Sequence, residues 1–258
     1  SKEEELQKSD WEYPAKGWSN FKNYNITAPN MYKDREPRFY ITVFFGGNYW
    51  LHGDAKTMIS FAKGGNGNKS HDYPKSGYLC KRFYDHTRNA GDGQWGNLTF
   101  PVFRLGEMYL NFIESVLECK KRNVALPAGY EELAMEKWAD LRDRAGLTPI
   151  TAVYPEAKGN WDELIELCRK ERRVELAFER HRYFDTRTWM IAEQTDNGPM
   201  YGMDATCPLE GSDTKVTPDG FWKRTVFETR VFKSNHYLYP FSQRELDRNK
   251  LLTTNYGW

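Results

Sequence analysis

Leu105, Met108, Tyr109, Phe112, Ile113, Val116 and Leu117 recur at spacings of three and four residues. Only an α-helix brings residues so spaced onto one side, so this stretch is a helix with an apolar stripe to cover. A second stripe follows at about 130–145, carried by Tyr130, Leu133, Ala134, Trp138, Leu141 and Ala145. Gly146 supplies a left-handed C-terminal cap, and Pro149 prevents the helix from resuming. The two helices are joined by a short loop with Pro127 and Gly129, which makes an antiparallel hairpin of tetratricopeptide size. A third helix starts near Trp161 and Asp162, with Leu164, Ile165, Cys168, Val174, Ala177 and Phe178 as its stripe. The expected fold is mainly α: tetratricopeptide-like helix pairs with long irregular loops and a few short strands.

On either side of residues 104–192 the pattern changes. Residues 1–103 hold 11 of the 20 glycines and four of the nine tryptophans, which marks them as loop-rich. Residues 39–45, FYITVFF, read as a strand or buried extended segment stopped by Gly46-Gly47. The glycine-rich stretches 64–72 and 89–97 are turn-forming loops, and neither has the strand-then-helix context of a phosphate-binding loop. Residues 193–258 form a polar loop and a tail, with an extended segment expected over 221–232. Ser242 and Glu245 stand at capping-box spacing, so a short helix starts at Ser242 with Phe241 as half of a hydrophobic staple.

The 258 residues include 9 Trp, 16 Tyr and 15 Phe, yet mean hydropathy is −0.81. So many rings argue against disorder. No stretch approaches the ~18 apolar residues of a membrane-spanning helix. Lys plus Arg number 37 against 36 Asp plus Glu, giving a formal net charge of +1 without the basic excess of a nucleic-acid binder. The basic residues of 169–173 alternate with glutamates and read as ion-paired. Cys80, Cys119, Cys168 and Cys207 form no CxxC or zinc-knuckle spacing. Asp92-Gly93-Gln94 lacks the spaced oxygen ligands of a calcium loop, and His52, His71 and His86 lack i,i+4 spacing, so neither a metal nor another cofactor is expected. Glu171, Glu175 and Glu179 share a helix face. They read as a solvated salt-bridge face rather than as catalytic carboxylates, which would need an outside cation. The chain shows no signal peptide and does not start with Met, and residues 9–38 lack periodicity, so a mature or cut fragment is expected.

Seven segments, in order, resemble the SusD/RagB outer-membrane lipoproteins of Bacteroidetes in their C-terminal portion. They are residues 34–40 (DREPRFY), 73–83 (YPKSGYLCKRF), 104–110 (RLGEMYL), 141–147 (LRDRAGL), 171–179 (ERRVELAFE), 181–189 (HRYFDTRTW) and 239–258, from Tyr239-Pro240 to Tyr256-Gly257-Trp258. Arg180 stands where that family usually has Gly, and Asn255-Tyr256-Gly257 lacks the usual Pro. The resemblance implies binding without catalysis. It implies a glycan captured at the cell surface as the ligand and a SusC-like TonB-dependent transporter as the partner. Membrane attachment is implied only through a lipid anchor in a missing N-terminal part. The same scaffold admits peptides or glycoproteins as an alternative cargo; a glycosidase with two carboxylates and a purely protein-contacting helical scaffold are the remaining readings.

Aromatic rings cover the flat C–H faces of sugars, and a few polar groups hold the hydroxyls. Loop aromatics ahead of the helices are therefore the ligand candidates: Trp11, Tyr13, Trp18, Trp50 and Trp95, with Asn20, Asn23 and Arg38 as polar partners. Trp138, Trp161 and Trp189 belong to helical stripes or motifs and are expected in the core.

Overall fold

A computed structural model of the chain describes residues 18–21, 26–32, 35–52, 55–69, 71–85, 87–88, 92–97 and 99–258. The ligand candidates Trp11, Tyr13 and Asn23 lie outside the described residues. In chain order the elements of the first third are β1 (Trp18–Phe21), β2 (Ile26–Pro29), α1 (Pro37–Thr42), β3 (Val43–Phe45), β4 (Tyr49–His52), β5 (Ala55–Met58) and β6 (Tyr78–Cys80). The helical region contains α2 (Leu105–Lys121), α3 (Tyr130–Arg144), α4 (Ile150–Val153), α5 (Trp161–Glu175), α6 (His181–Thr188) and α7 (Ala192–Thr195). The last third contains β7 (Gly198–Met203), β8 (Arg224–Arg230) and α8 (Gln243–Arg248). The fold is mainly α; the strands form two-stranded antiparallel ladders, β1–β2, β3–β6, β4–β5 and β7–β8.

The three long helices stand where periodicity places them, and α2 packs against both α3 and α5. Their buried faces meet in one core of Leu110, Ile113 and Leu117 from α2, Trp138 and Leu141 from α3, and Leu164, Ile165 and Cys168 from α5, whereas Leu105, Met108, Tyr130, Leu133 and Val174 of the expected stripes are exposed. Burial of each large side chain contributes about 1.5–3 kcal/mol. The end of α3 is a Schellman motif. Gly146 takes φ 72°, its N–H reaches the Asp143 carbonyl at 2.8 Å, and the Leu147 N–H reaches the Arg142 carbonyl at 2.9 Å.

Two boundaries differ from expectation. Residues 39–45 are not one extended run, because α1 occupies Pro37–Thr42 before β3 begins. Pro37 sits at the start of the helix, where its fixed φ suits the turn and its missing N–H costs nothing. Arg38, Tyr40 and Thr42 are all buried, so the segment is covered on two sides and shows no helical period. The third helix also stops short of Ala177 and Phe178. α5 ends at Glu175, the chain passes through left-handed Phe178 (φ 65°) and Arg180 (φ 69°), and α6 starts afresh at His181.

A second core forms outside the three long helices from Tyr32, Tyr40, Phe44, Phe45, Phe61 and Ala62, together with Met203, Phe221 and Trp222 from the last third. Tyr32 stacks on Phe45 with centroids 4.0 Å apart, and Phe221 meets Trp222 edge-on at 4.9 Å. The loop over 64–69 is fixed to this core through amides: Asn68 Nδ2 donates to the carbonyls of Phe61 and Ala205, each at 2.9 Å. The extended segment expected in 221–232 is β8, paired with β7 across a bulge between Met200 and Tyr201. At the tail, Ser242 Oγ accepts the Glu245 N–H and caps α8.

Candidate functional site

Three glutamates, Glu171 and Glu175 on one face of α5 and Glu179 in the turn that follows it, organise the region that carries the aromatic loops. Glu171, Glu175 and Glu179 are 5%, 2% and 7% exposed, so the face is buried rather than solvated. The reason is that arginines from elsewhere in the chain cover it. Arg38 in α1 reaches Glu171 and, at 2.8 Å, Glu175. Arg142 and Arg144, from the end of α3, reach Glu171 and Glu175 respectively. Arg104, just before α2, binds Glu175 and Glu179, each at 2.6 Å. Burial alone would push the Glu175 carboxyl up, but hydrogen bonds from Arg38 and Arg104 and the charges of Arg104 and Arg144 outweigh it and hold the carboxyl below its ordinary value. Arg38 is shifted up: its hydrogen bonds and charge pairs with Glu36, Glu171 and Glu175 overcome its desolvation.

Arg82 extends this lattice towards the loops. It pairs with Glu179 at 2.7 Å and donates to the Glu175 carbonyl at 3.1 Å, so it also caps the end of α5. Lys81 is tied to α1, with Nζ donating to the Tyr40 carbonyl at 3.1 Å. The next residue after Arg82 is Phe83 with φ 71°, a left-handed conformation that costs a non-glycine residue of order 1–3 kcal/mol. The turn keeps the Phe83 ring 5.4 Å from the Arg82 guanidinium and carries Tyr84 onto the aromatic surface.

There Tyr84 packs against Trp50 of β4, with ring centroids 4.1 Å apart, and Trp50 meets Phe44 edge-on at 5.2 Å. A cavity of about 550 Å³ lies on the Trp50 side, walled by Phe44, Trp50, Ile59 and Phe61, with His71 and Asp72 also lining it. A smaller one of about 170 Å³ lies on the Tyr84 side, lined by Phe83, Tyr84, Asp85, Arg88 and Trp95. The loop below Trp95 is closed by Asp85, whose carboxylate accepts from the Thr87 N–H at 3.0 Å and hydroxyl at 2.6 Å. Gly96 is needed where it stands, since a Cβ there would come within 2.6 Å of the Asp85 side chain.

Of the residues expected to meet ligand, the structure therefore brings Trp50 and Trp95 to neighbouring cavities, and Trp95 is 79% exposed. Trp18 and Asn20 lie in β1, paired with Pro29 and Thr27 of β2. Arg38 is 7% exposed, and its guanidinium bonds to Glu36, Glu171 and Glu175. Sequence reasoning missed Phe83 and Tyr84. Their signal is faint, a Lys-Arg pair followed by two rings without periodicity. Trp138 is fully buried, and Trp189 donates its indole N–H to Glu114 at 2.6 Å beneath the Arg169 guanidinium. Among the described residues, no three His, Cys, Asp or Glu side chains are grouped to hold a metal ion, and no helix is long and apolar enough to cross a membrane.

A helical core carries long, internally bonded loops, with partly exposed rings facing shallow cavities, in a mainly α fold. The chain belongs to the SusD family, whose sequence profile matches residues 6–258. It is similar to the crystal structure of a SusD-like protein from Bacteroides fragilis, with 26% identity and a TM-score of 0.66 over 95% of this chain. The chain spans 42% of that protein's chain. No curated protein matches it in sequence.

Proposed function

We propose that this chain takes part in nutrient capture at the cell surface, holding a glycan against the aromatic face of Trp50, Tyr84 and Trp95 without chemical turnover. In this reading the glycan passes to a SusC-like TonB-dependent transporter of the outer membrane, and the protein is a surface-exposed lipoprotein. The observation that carries the reading is the Trp50–Tyr84 pair, partly exposed between two cavities. Sugar rings lie flat on such surfaces, and Asp85, Arg88, Gln94 and Asn97 line the same depression as polar partners for hydroxyls. Membership of the SusD family supports the same class of role.

Affinity electrophoresis of the full chain against neutral polysaccharides tests this. Retardation by at least one polysaccharide is expected, weakened about tenfold by Trp95→Ala, a loss of ~1.4 kcal/mol. Trp95 is mostly exposed, so the substitution leaves the fold intact. If no polysaccharide retards the protein, and protein digests bind in calorimetry instead, the cargo is peptide and the glycan reading fails.

A further inference from the structure

The turn between α5 and α6 walls a third cavity of about 420 Å³, lined by Arg172, Arg173, Arg180, Arg182 and His181 against one carboxylate, Asp185. That carboxylate is already engaged, accepting from Arg172 Nε at 2.9 Å. Arg173, Arg180 and Arg182 make no ion pair among the described residues. Arg182 is shifted down by burial first and by the Arg173 charge second, which outweigh the opposing charges of Asp196 and Asp185. The first turn of α6 has no side-chain cap.

The backbone is strained to build this wall. Phe178 and Arg180 both adopt left-handed φ, 65° and 69°, although neither is glycine, and both side chains are exposed. Phe178 and Phe184 supply apolar surface, 49% and 63% exposed. The cavity is also linked to the aromatic face. Arg180 lies 5.7 Å from the Phe100 ring centroid, and Phe100 lies 5.0 Å from Phe83, which lines the cavity beneath Trp95.

We propose that the pocket between α5 and α6 binds an acidic sugar residue, a uronate or sulfate ester, through Arg173, Arg180 and Arg182, on a glycan that continues along the rings to Trp95. The inference rests on the glycan reading. Guanidiniums grip carboxylate and sulfate oxygens with paired N–H groups, while Phe178 and Phe184 cover the sugar's apolar face. A ring contact path from Arg180 to Trp50 favours an extended saccharide over an acidic peptide.

Calorimetry on the full chain separates the possibilities, with a neutral oligosaccharide, an oligogalacturonate, a chondroitin sulfate oligosaccharide and hexaglutamate as probes. One of the two acidic saccharides is expected to bind at least tenfold tighter than the neutral one. Arg173→Ala combined with Arg182→Ala removes that preference and leaves neutral binding unchanged. Arg180→Gly lowers acidic affinity but raises the melting temperature, because glycine relaxes the left-handed backbone; a purely structural Arg180 would not lose affinity as stability rises. If the arginine variants bind every saccharide as the wild type does, the acidic pocket is overturned, and Trp95-dependent neutral binding would leave the glycan reading standing. If hexaglutamate alone binds, and does so through these arginines, the pocket serves a protein partner and the proposal is likewise overturned.

Discussion

Glu175 is gripped by arginines from three separate segments, Arg38, Arg104 and Arg144. Removing it strands their charges in a buried place, and breaking a buried pair from one side costs about 3–5 kcal/mol. Glu175→Ala should therefore lower stability by about that amount in urea unfolding, far more than Glu166→Ala, whose carboxylate is largely exposed. Acid should have the same effect gradually. The folded Glu175 carboxyl lies below its unfolded value of ~4.3, so its contribution is complete above that pH and is lost as pH falls through the folded value. Thermal melts across the acid range should show the loss in the wild type and a shallower slope in Glu175→Gln. The sequence places Glu171, Glu175 and Glu179 on one face, but not what covers it. Arg38 sits 133 residues before Glu171, and no local spacing announces so distant a partner.

The left-handed positions separate the elements. Gly146 ends α3 at φ 72°, and Gly146→Ala should cost about 1–2 kcal/mol in thermal denaturation because a Cβ disfavours that conformation. Arg180 is the mirror case at φ 69°, an L-residue already bearing the strain. At α8, Ser242→Ala removes a cap contribution of about 1 kcal/mol and should speed amide exchange locally over Gln243–Arg248 without moving the global melt. Elements with one exposed face are legible in the sequence: α2, α3 and most of α5 follow their apolar stripes. α1 is not legible, since burial of Arg38, Tyr40 and Thr42 erases the period that would have marked it. β7 is hidden by Gly198 and Pro199, which read as turn residues although they pair with Arg230 and Thr229.

Across the whole molecule, the aromatic excess serves two cores and one open face. Trp138, fully buried among the helices, takes the bulk that scarce Val and Ile would otherwise supply. Phe221 closes the second core, which joins residues 32–62 to residues 203–222. Phe221→Ala should cost about 3–5 kcal/mol in equilibrium unfolding. This long-range closure is what sequence reading could not see, because rings in loops carry no period and their partners lie some 150 residues away. Trp50 and Trp95 could be singled out by their polar, glycine-rich surroundings, whereas Tyr84 became visible only once Arg82 was seen to anchor its segment to α5. Tryptophan fluorescence of the full chain, titrated with the oligosaccharide of whichever polysaccharide retards it, tests the central claim most directly. A saturable change that Trp95→Ala weakens about tenfold is the predicted result. Unchanged affinity in both Trp95→Ala and Trp50→Ala would contradict it and place the ligand elsewhere on the molecule.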